Sequence, residues 1–443
     1  MPQKKKISRR TFGKYTVASV AALAFPTIIP SSALGADGAV APSERVAVGC
    51  IGTGNRGCSL LEGLFQTKQA HVVAVCDVKR DWREKSAKMV NDFYGSNDCA
   101  MYNAHEELLA RKDIDACVIA STDHWHVLLA LAATRAGKGT YVEKPLSVSM
   151  EQNRLLRTAV RENGTVFQFG TQQRSQENFW RACELVRNGR IGKIKKIRVW
   201  APPSSAGAPT QQAPVPETLD YERWLGPAPK TPYTLERDSN KWWWFIEDYA
   251  LGFIAGWGIH PLDIALWGAG DLMRSAVSVQ GTGVFPTEGA CNTATAWKVR
   301  LRYASGLEMD YRSDPPPAEW KARYGEITSH CTAFEGSDGW LRVDRSHLTA
   351  SSPDILKEVI GGNETRLYRS KHHMQNFIEC VKDKKDPVSP IEEAVRGDAI
   401  CHMSDIAIRL KRTVHWDPRK ECFTNDDEAN ARLTRTIREP WKA

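Results

Sequence analysis

The chain has 443 residues, of which 42% are hydrophobic and 25% charged, and its formal net charge is +8 at pH 7. This length exceeds what one typical hydrophobic core organises, so we expect an ordinary globular protein of two domains. Six positive charges and no acidic residue lie in residues 1–36. The rest of the chain therefore carries only +2, which excludes a general nucleic-acid partner.

Residues 1–36 have the form of a twin-arginine export signal. A basic stretch containing Arg9 and Arg10 precedes an apolar run over 17–29, and small residues follow at 33–36. The run is too short for a good membrane span, so we expect no stable membrane insertion. The signal predicts export of the folded protein to the periplasm. Residues 37–44 are predicted to be a linker.

The eleven cysteines are scattered and form no C-x-x-C pair. Folding in a reducing cytosol before export argues against a disulfide framework, so we expect none. No stretch of the sequence shows metal-ligand spacing, and we expect no metal site.

Residues 46–57 predict a strand that runs into a G-x-G-x-x-G turn. In such a turn the first glycine allows the bend, the second lets a pyrophosphate approach the backbone, and the third lets the next helix pack against the strand. A second apolar run, 72–76, ends in Asp77, twenty residues beyond Gly57. A carboxylate there suits the ribose 2′-hydroxyl of NAD. Lys79 and Arg80 follow and could pair a 2′-phosphate, so NADP stays possible.

Residues 45–165 are predicted to form a Rossmann-type, doubly wound parallel sheet, because strand and helix patterns alternate. The predicted strands after 46–51 and 72–76 are 101–103, 116–120 and 140–142, and the helices are 58–67, 81–94, 105–110 and 127–136. Ligands of such sheets bind beyond the carboxyl ends of the strands. Two loops emerge there, 121–126 and 143–145. Lys144 directly follows a strand and precedes a proline, so we expect its ammonium in the cleft, where burial would depress its pKa.

Residues 166–415 are predicted to form an α+β domain with a large, open, mostly antiparallel sheet. A predicted helix over 153–163 leads into this domain. Its predicted strands are 165–169, 195–200, 276–280, 296–303, 307–312, 332–335 and 340–343, and its helices are 178–188, 251–267, 373–382 and 391–410. The last helix could pack back near the first domain. One face of the sheet could serve as an oligomer surface, so we expect a dimer or tetramer. Residues 416–443 are predicted to be a charged tail.

Several aromatic and polar residues of the second domain are candidates for sugar binding. Tryptophans at 242–244 offer flat apolar faces, and nearby carboxylates can bind hydroxyls. From this stretch we expect Trp243, Asp248 and Tyr249 to contact substrate.

The chain resembles the family of glucose–fructose oxidoreductase and inositol dehydrogenase. The resemblance rests on the motifs at 52–57, Asp77, 122–126, 143–145, 170–175 and 258–263. It implies that Lys144 is catalytic and that His260 works beside it. It also places Arg174 at the substrate and Gln172 near nicotinamide. The residues expected at the cofactor are Gly52, Gly54, Asn55, Arg56, Gly57, Asp77, Ser121, Thr122, His126, Glu143, Lys144 and Gln172.

One departure from the family pattern concerns His260. Related dehydrogenases commonly carry an aspartate four residues before this histidine, where this chain has Gly256. Asp263, three residues after His260 on the same helical face, or Asp248 could take its place. Asp263 is also a candidate for substrate binding.

Three functions stay open on the sequence alone. The leading one is a periplasmic, NAD-dependent dehydrogenase that oxidises a ring hydroxyl of a sugar, glycoside or cyclitol and holds its cofactor tightly. The second is an NAD-dependent glycosidase that oxidises the sugar transiently and eliminates the aglycone. The third is a sugar-binding protein without catalysis, against which the intact sequence around Lys144 argues.

Overall fold

The computed structural model describes residues 44–327 and 329–441, so the predicted export signal lies outside the described residues. Val46–Ala443 groups as one compact unit containing two sheets. The first sheet has six parallel strands in the order β3-β2-β1-β4-β5-β6. Its strands are β1 Val46–Ile51, β2 Ala70–Cys76, β3 Ala100–Tyr102, β4 Ala116–Ile119, β5 Gly139–Val142 and β6 Phe167–Phe169.

Helices connect these strands as the alternation predicts. They are α1 Asn55–Phe65, α2 Arg80–Tyr94, α3 His105–Leu109, α4 Asp123–Arg135 and α5 Met150–Asn163. β4 and β5 are buried along their whole length, as expected for a sheet covered on both faces. The strand predicted from 165 onward was assigned to the second domain, which is wrong. It is β6, which pairs with β5, so the first sheet extends past residue 165.

The second sheet has nine strands in the order β13-β12-β11-β7-β10-β9-β8-β14-β15. Only the neighbours β7 and β10 run parallel, so the sheet is mostly antiparallel, as predicted. Its strands are β7 Lys196–Trp200, β8 Val277–Val284, β9 Ala296–Tyr303, β10 Glu308–Arg312, β11 Cys331–Glu335, β12 Trp340–Val343, β13 Leu348–Ala350, β14 Val414–Asp417 and β15 Cys422–Phe423.

Alternation along β9 shows that this sheet has a buried and an exposed face. The remaining helices are α6 Glu177–Arg187, α7 Tyr221–Leu225, α8 Phe253–Gly256, α9 Ile259–Ala269, α10 Ala318–Tyr324, α11 Pro353–Lys357, α12 His373–Asp383, α13 Ile391–Leu410 and α14 Asp427–Ala431. The segment predicted as one helix over 251–267 is two, α8 and α9, because Trp257 and Gly258 interrupt it. The buried helices α9 and α13 pack on the sheet.

Helix α13 does pack back on the first domain, as predicted. The buried carboxylate of Asp398 accepts hydrogen bonds from the main-chain N–H groups of Leu146 (3.1 Å) and Ser147 (3.3 Å) and from Asn153 Nδ2 (2.6 Å). This carboxylate fixes the chain that leaves β5 just beyond Lys144. The charged tail predicted from 416 contains regular structure, since β14, β15 and α14 extend the second sheet and its edge.

All eleven cysteines are free thiols, most of them buried. Among the described residues, no helix has the length and apolar character needed to cross a bilayer.

Candidate active site

The glycine turn after β1 forms a cradle at the start of α1. A Cβ on Gly57 would lie 2.2 Å from the carbonyl oxygen of Gly52, so only glycine allows this close approach. Gly52 has φ +80°, and a Cβ there would lie 2.6 Å from the main chain of Ala120. At Gly54 a Cβ would meet nothing within 4 Å, which leaves the backbone open to a ligand. The turn therefore fits the dinucleotide role predicted for it.

Asp77 lies at the wall of this cradle. Its Oδ2 accepts the Thr53 N–H at 2.7 Å, and its Oδ1 accepts the Lys79 N–H at 2.8 Å. Burial raises the pKa of Asp77, and the two main-chain hydrogen bonds reduce that rise without cancelling it. Lys79 forms an ion pair with Asp238, and Arg80 donates to the carbonyl of Glu217 at 2.9 Å. Both cations that could have served a 2′-phosphate are therefore engaged elsewhere.

A cavity of about 340 Å³ opens from the cradle. This lies in the range of small-molecule sites, roughly 300–1,000 Å³. The residues of the predicted cofactor set that line it are Gly52, Gly54, Asn55, Asp77, Ser121 and Thr122. Four tryptophans add flat apolar faces that suit a purine ring, namely Trp82, Trp125, Trp224 and Trp243. The sequence did not assign Trp82 or Trp125 to the cofactor, since Trp82 lies within the predicted helix 81–94 and Trp125 within the loop 121–126.

Residues 217–243, here called the strap, cover this cavity from the second domain. The strap pairs with the chain after β2, since the Arg80 N–H donates to Thr218 O at 2.8 Å and the Asp220 N–H to Val78 O at 3.0 Å. Asn103 donates to the Asp220 carboxylate at 2.7 Å. Arg223, Trp224, Asp238, Ser239, Asn240 and Trp243 of the strap line the cavity. A nucleotide in this cavity would be enclosed by both domains.

Lys144 lies where β5 ends, at the other end of the cleft. Its ammonium donates to the carbonyl oxygen of Gly256 at 2.8 Å and lies 5.4 Å from the ring centre of Trp244. Burial lowers the pKa of Lys144, and the charges of Glu143 and Asp123 oppose that shift. The depressed pKa expected from the sequence is therefore present, and the cause is the one expected.

Glu143 joins three of the predicted cofactor residues. Its Oε1 accepts hydrogen bonds from Arg56 Nε at 2.8 Å and from Gln172 Nε2 at 2.9 Å. Burial acts to raise the pKa of Glu143, but the positive charges of Arg56 and Lys144 outweigh it, so the pKa is lowered and the group is ionised. Glu143 thus links the cradle residue Arg56 to the loop that carries Lys144.

His126, predicted as a cofactor residue, is enclosed by main chain. It is buried, its Nδ1 lies 2.7 Å from the carbonyl oxygen of Pro145, and its Nε2 lies 3.1 Å from that of Ser121. Each ring nitrogen lies against a main-chain carbonyl oxygen, and burial lowers the pKa of His126, so the neutral imidazole donates to one of the two. His126 ties the two loops of the cleft together, which is a positioning role.

His260 lies at the start of α9, across from Lys144. Its Nδ1 is buried and has no hydrogen-bond partner among the described residues. Burial, followed by the charges of Lys144 and Arg345, lowers its pKa well below the ordinary value, so the imidazole is neutral. The ring of Trp257 packs against both His260 (5.7 Å between centres) and His330 (5.4 Å). His330 was not predicted, because a histidine before a strand carries no sequence signal.

The carboxylates expected to assist His260 are engaged elsewhere. Asp263 receives two hydrogen bonds from Arg174, at 2.6 and 2.8 Å, and both side chains are buried. This pair holds α9 against the turn after β6, so the expectation that Arg174 and Asp263 bind substrate is corrected. Burial raises the pKa of Asp248, and the charges of Arg237 and Arg435 oppose that shift. Asp248 does not hydrogen-bond Nδ1 of His260, which has no partner among the described residues.

The aromatic residues predicted to contact substrate lie in different parts of the structure. Trp243 lines the nucleotide cavity, whereas its neighbour Trp244 lies over Lys144. Tyr249 is fully buried among Trp224 and His124, and its hydroxyl accepts from Arg237 Nε at 2.8 Å. Tyr249 is therefore a packing residue, and Trp244 is the tryptophan whose ring lies over the ammonium of Lys144. Successive residues of a short 3₁₀ turn point in different directions, which the sequence alone did not resolve.

The fold and this cleft define the class of protein as a two-domain oxidoreductase that binds NAD at its parallel sheet. Residues 46–171 match the family model described as the NAD-binding Rossmann fold of an oxidoreductase family, and residues 200–443 match its C-terminal alpha/beta domain. The chain belongs to this family, which carries the names of glucose–fructose oxidoreductase, inositol dehydrogenase and MocA.

Individual relatives show the range of the family. A glycosyl hydrolase family 109 protein of Saccharopolyspora erythraea is 34% identical over 156 residues, covering 34% of each chain. The myo-inositol 2-dehydrogenase of Thermotoga maritima is 29% identical over 181 residues, 40% of this chain and 49% of that protein. The matched stretches thus span a third to a half of these relatives. The WlbA dehydrogenase of Bordetella pertussis, solved with NADH and UDP-GlcNAcA, shares the fold with a TM-score of 0.60 at 16% identity, over 83% of this chain and 98% of that one.

Proposed function

We propose that this protein is an NAD-dependent dehydrogenase that oxidises a ring hydroxyl of a sugar, glycoside or cyclitol to a ketone. The observation that carries the proposal is the position of Lys144. It lies at the carboxyl end of a strand in the NAD-binding sheet, with a lowered pKa and with His260 beside it. A neutral amine in this position can accept a hydroxyl proton.

The cradle, the cavity and Asp77 fit the cofactor. NAD, when bound, supplies the hydride acceptor that oxidation of an alcohol requires. The chain supplies position and proton transfer. Deprotonated Lys144 takes the proton of the reacting hydroxyl, and the unpartnered Nδ1 of neutral His260 can hydrogen-bond a sugar hydroxyl. Trp244 offers a flat face to the sugar ring.

The engagement of Lys79 by Asp238 and of Arg80 by Glu217 favours NAD over NADP. The strap supports tight retention of the cofactor, because dissociation of the nucleotide requires the strap to move. We also propose that the protein is exported through the twin-arginine signal in residues 1–36 and forms a homo-oligomer. In a compartment poor in NAD, a carbonyl compound would serve as a second substrate and reoxidise the site.

A second candidate is an NAD-dependent glycosidase. The similarity to glycosyl hydrolase family 109 proteins favours it, as does His260, which lacks a carboxylate partner in the described part of the chain. Both reactions begin with removal of hydride by the same residues, so they differ only in the later steps.

One experiment separates the two. The protein is incubated with nitrophenyl glycosides, and NADH absorbance and nitrophenol are followed together. The dehydrogenase proposal predicts at most one reduced cofactor per active site, discharged by a keto-sugar, without stoichiometric nitrophenol. Catalytic release of nitrophenol without net NADH would establish the glycosidase instead. If neither NADH nor nitrophenol forms with any glycoside of a broad panel, although NAD is bound, the result would favour a sugar-binding protein.

A further inference from the structure

The substrate end of the cleft contains a cation whose charge is not balanced. Arg345 follows β12 in a turn where the Asp344 N–H donates to His347 O at 2.9 Å. Oδ1 of the buried Asp344 accepts the N–H groups of Ser346 (2.8 Å) and His347 (2.7 Å). The backbone of this turn is therefore held in place, and Arg345 lies at its tip.

The guanidinium of Arg345 lies 5.2 Å from the ring centre of Trp257. Trp257 is the ring that packs against His260 and His330, so its position fixes Arg345 beside the candidate catalytic residues. Within residues 44–327 and 329–441, Arg345 has no carboxylate within ion-pair distance and no hydrogen bond. It is exposed, and Asp344, its neighbour, pairs with Arg342 instead.

The neighbouring charges add to the unbalanced positive charge around Arg345. Lys144 lies at this end of the cleft, and the charge of the cradle residue Arg56, which is bound to Glu143, also reaches Arg345. Burial and the charge of Arg56 lower the pKa of Arg345, which shows that no carboxylate compensates it. An arginine held on an aromatic face, with its five donors free, is suited to a planar carboxylate or to a phosphate. Arg345 does not line the nucleotide cavity.

We propose that the substrate is an acidic sugar derivative, and that Arg345 binds its carboxylate or phosphate group. This inference rests on the proposed function, because it names the substrate class of the same site. Arg345 is then a specificity-determining residue that orients the ring over Trp244 and Lys144. It takes no part in proton transfer.

The test uses the full protein with bound NAD and matched pairs of methyl glycosides in the gluco, galacto and manno configurations. Each pair consists of a hexuronic acid and the neutral hexose, and a third arm uses the hexose 6-phosphate. The readouts are the second-order rate constant for reduction of the bound NAD in a single turnover and the dissociation constant from calorimetric titration. We expect at least a tenfold preference for either the hexuronic acid or the hexose 6-phosphate over the neutral hexose. The preferred compound identifies the bound group as a carboxylate or a phosphate.

Arg345→Gln should lower affinity for the acidic compound by about ten- to a hundredfold, since a charged hydrogen-bonded contact is lost. The neutral sugar should be unaffected, and Arg345→Lys should restore part of the preference. The matched control is Arg369→Gln, because Arg369 also lies over a tryptophan, Trp180, but outside the cleft. The acidic preference should weaken as salt is raised.

Equal use of acidic and neutral sugars, or an equal loss for both in Arg345→Gln, would overturn the inference while leaving the dehydrogenase intact. If no sugar reduces the cofactor, the proposed function fails, and the titration still decides the inference. Binding of an acidic compound that is lost in Arg345→Gln supports it, and no binding of any acidic compound overturns it.

Discussion

The two ends of the cleft differ in how completely their polar groups are paired. At the nucleotide end, both oxygens of Asp77 accept main-chain hydrogen bonds, Lys79 pairs with Asp238 and Asn103 binds Asp220. At the substrate end, Lys144 is held by a carbonyl oxygen alone, and Nδ1 of His260 and the guanidinium of Arg345 have no partner among the described residues.

This difference indicates two different tasks. Groups paired within the protein cost little to organise and hold a fixed shape, as is required to keep a cofactor bound. A buried atom without a partner, such as Nδ1 of His260, is unfavourable until a ligand supplies the hydrogen bond. The nucleotide end is thus built to retain its ligand, and the substrate end is built to be completed by a ligand that exchanges.

The largest effect should come from Lys144→Met, which keeps the stem of the side chain and removes the amine. We expect kcat to fall by about 10²–10⁴, the usual contribution of a positioned proton-transfer group. Bound NAD should remain, because Lys144 does not line the nucleotide cavity. Lys371→Met, at an exposed lysine before α12, is the control for a lost charge. Undiminished turnover would remove Lys144 from the mechanism.

Asp77→Ala should weaken binding of the cofactor at the nucleotide end of the cleft. The ribose 2′-hydroxyl of the cofactor would lose a charged acceptor, worth roughly 1.5–3 kcal/mol, so affinity for NAD should fall about ten- to a hundredfold. Discrimination against NADP should fall as well. Fluorescence titration of protein stripped of nucleotide measures both constants. Unchanged affinity for both cofactors would show that the carboxylate serves only the turn.

Gly256→Asp restores the aspartate that related dehydrogenases commonly carry at this position, and it tests whether that carboxylate changes the pH dependence of kcat. A Cβ at Gly256 comes no closer than 3.6 Å to Phe253, so the side chain has room. Lys144 acts as a base when deprotonated, so the rate should rise with pH through its pKa, which burial sets below the ordinary lysine value. A nearby aspartate should raise that pKa by about one unit or more. The midpoint of the kcat profile should move to higher pH, and Gly256→Asn should leave it in place.

The smallest effect is expected for Asp238→Asn in the strap. The ion pair with Lys79 is partly buried, and such pairs are commonly worth about 1 kcal/mol or less. We expect dissociation of NAD to become about two- to fivefold faster, and affinity for NADP to increase because Lys79 is released. Asp354→Asn, which removes an exposed ion pair on α11, serves as the control. A strap variant with unchanged NADP affinity would show that Lys79 does not reach the 2′-position.

The two ends also differ in how far the sequence predicts them. The glycine turn and Asp77 are local features, because their spacing along the chain determines their geometry, and the structure has them as predicted. The strap could not be predicted, since its pairing with Val78–Arg80 joins segments about 140 residues apart. Arg174 and Asp263 carried the right chemistry for substrate, but tertiary packing brings them together instead. Arg345 has no motif around it, and only the fold places it beside Trp257.

The most direct test of this account compares cofactor exchange with turnover. The purified protein, carrying its own NAD, is supplied with a reactive sugar, a carbonyl acceptor and isotopically labelled NAD in solution. The account predicts many turnovers before labelled NAD replaces the bound nucleotide, with the exchange rate rising in Asp238→Asn. Entry of one label per turnover in the unaltered protein would show that the nucleotide leaves in every cycle, which would contradict the account.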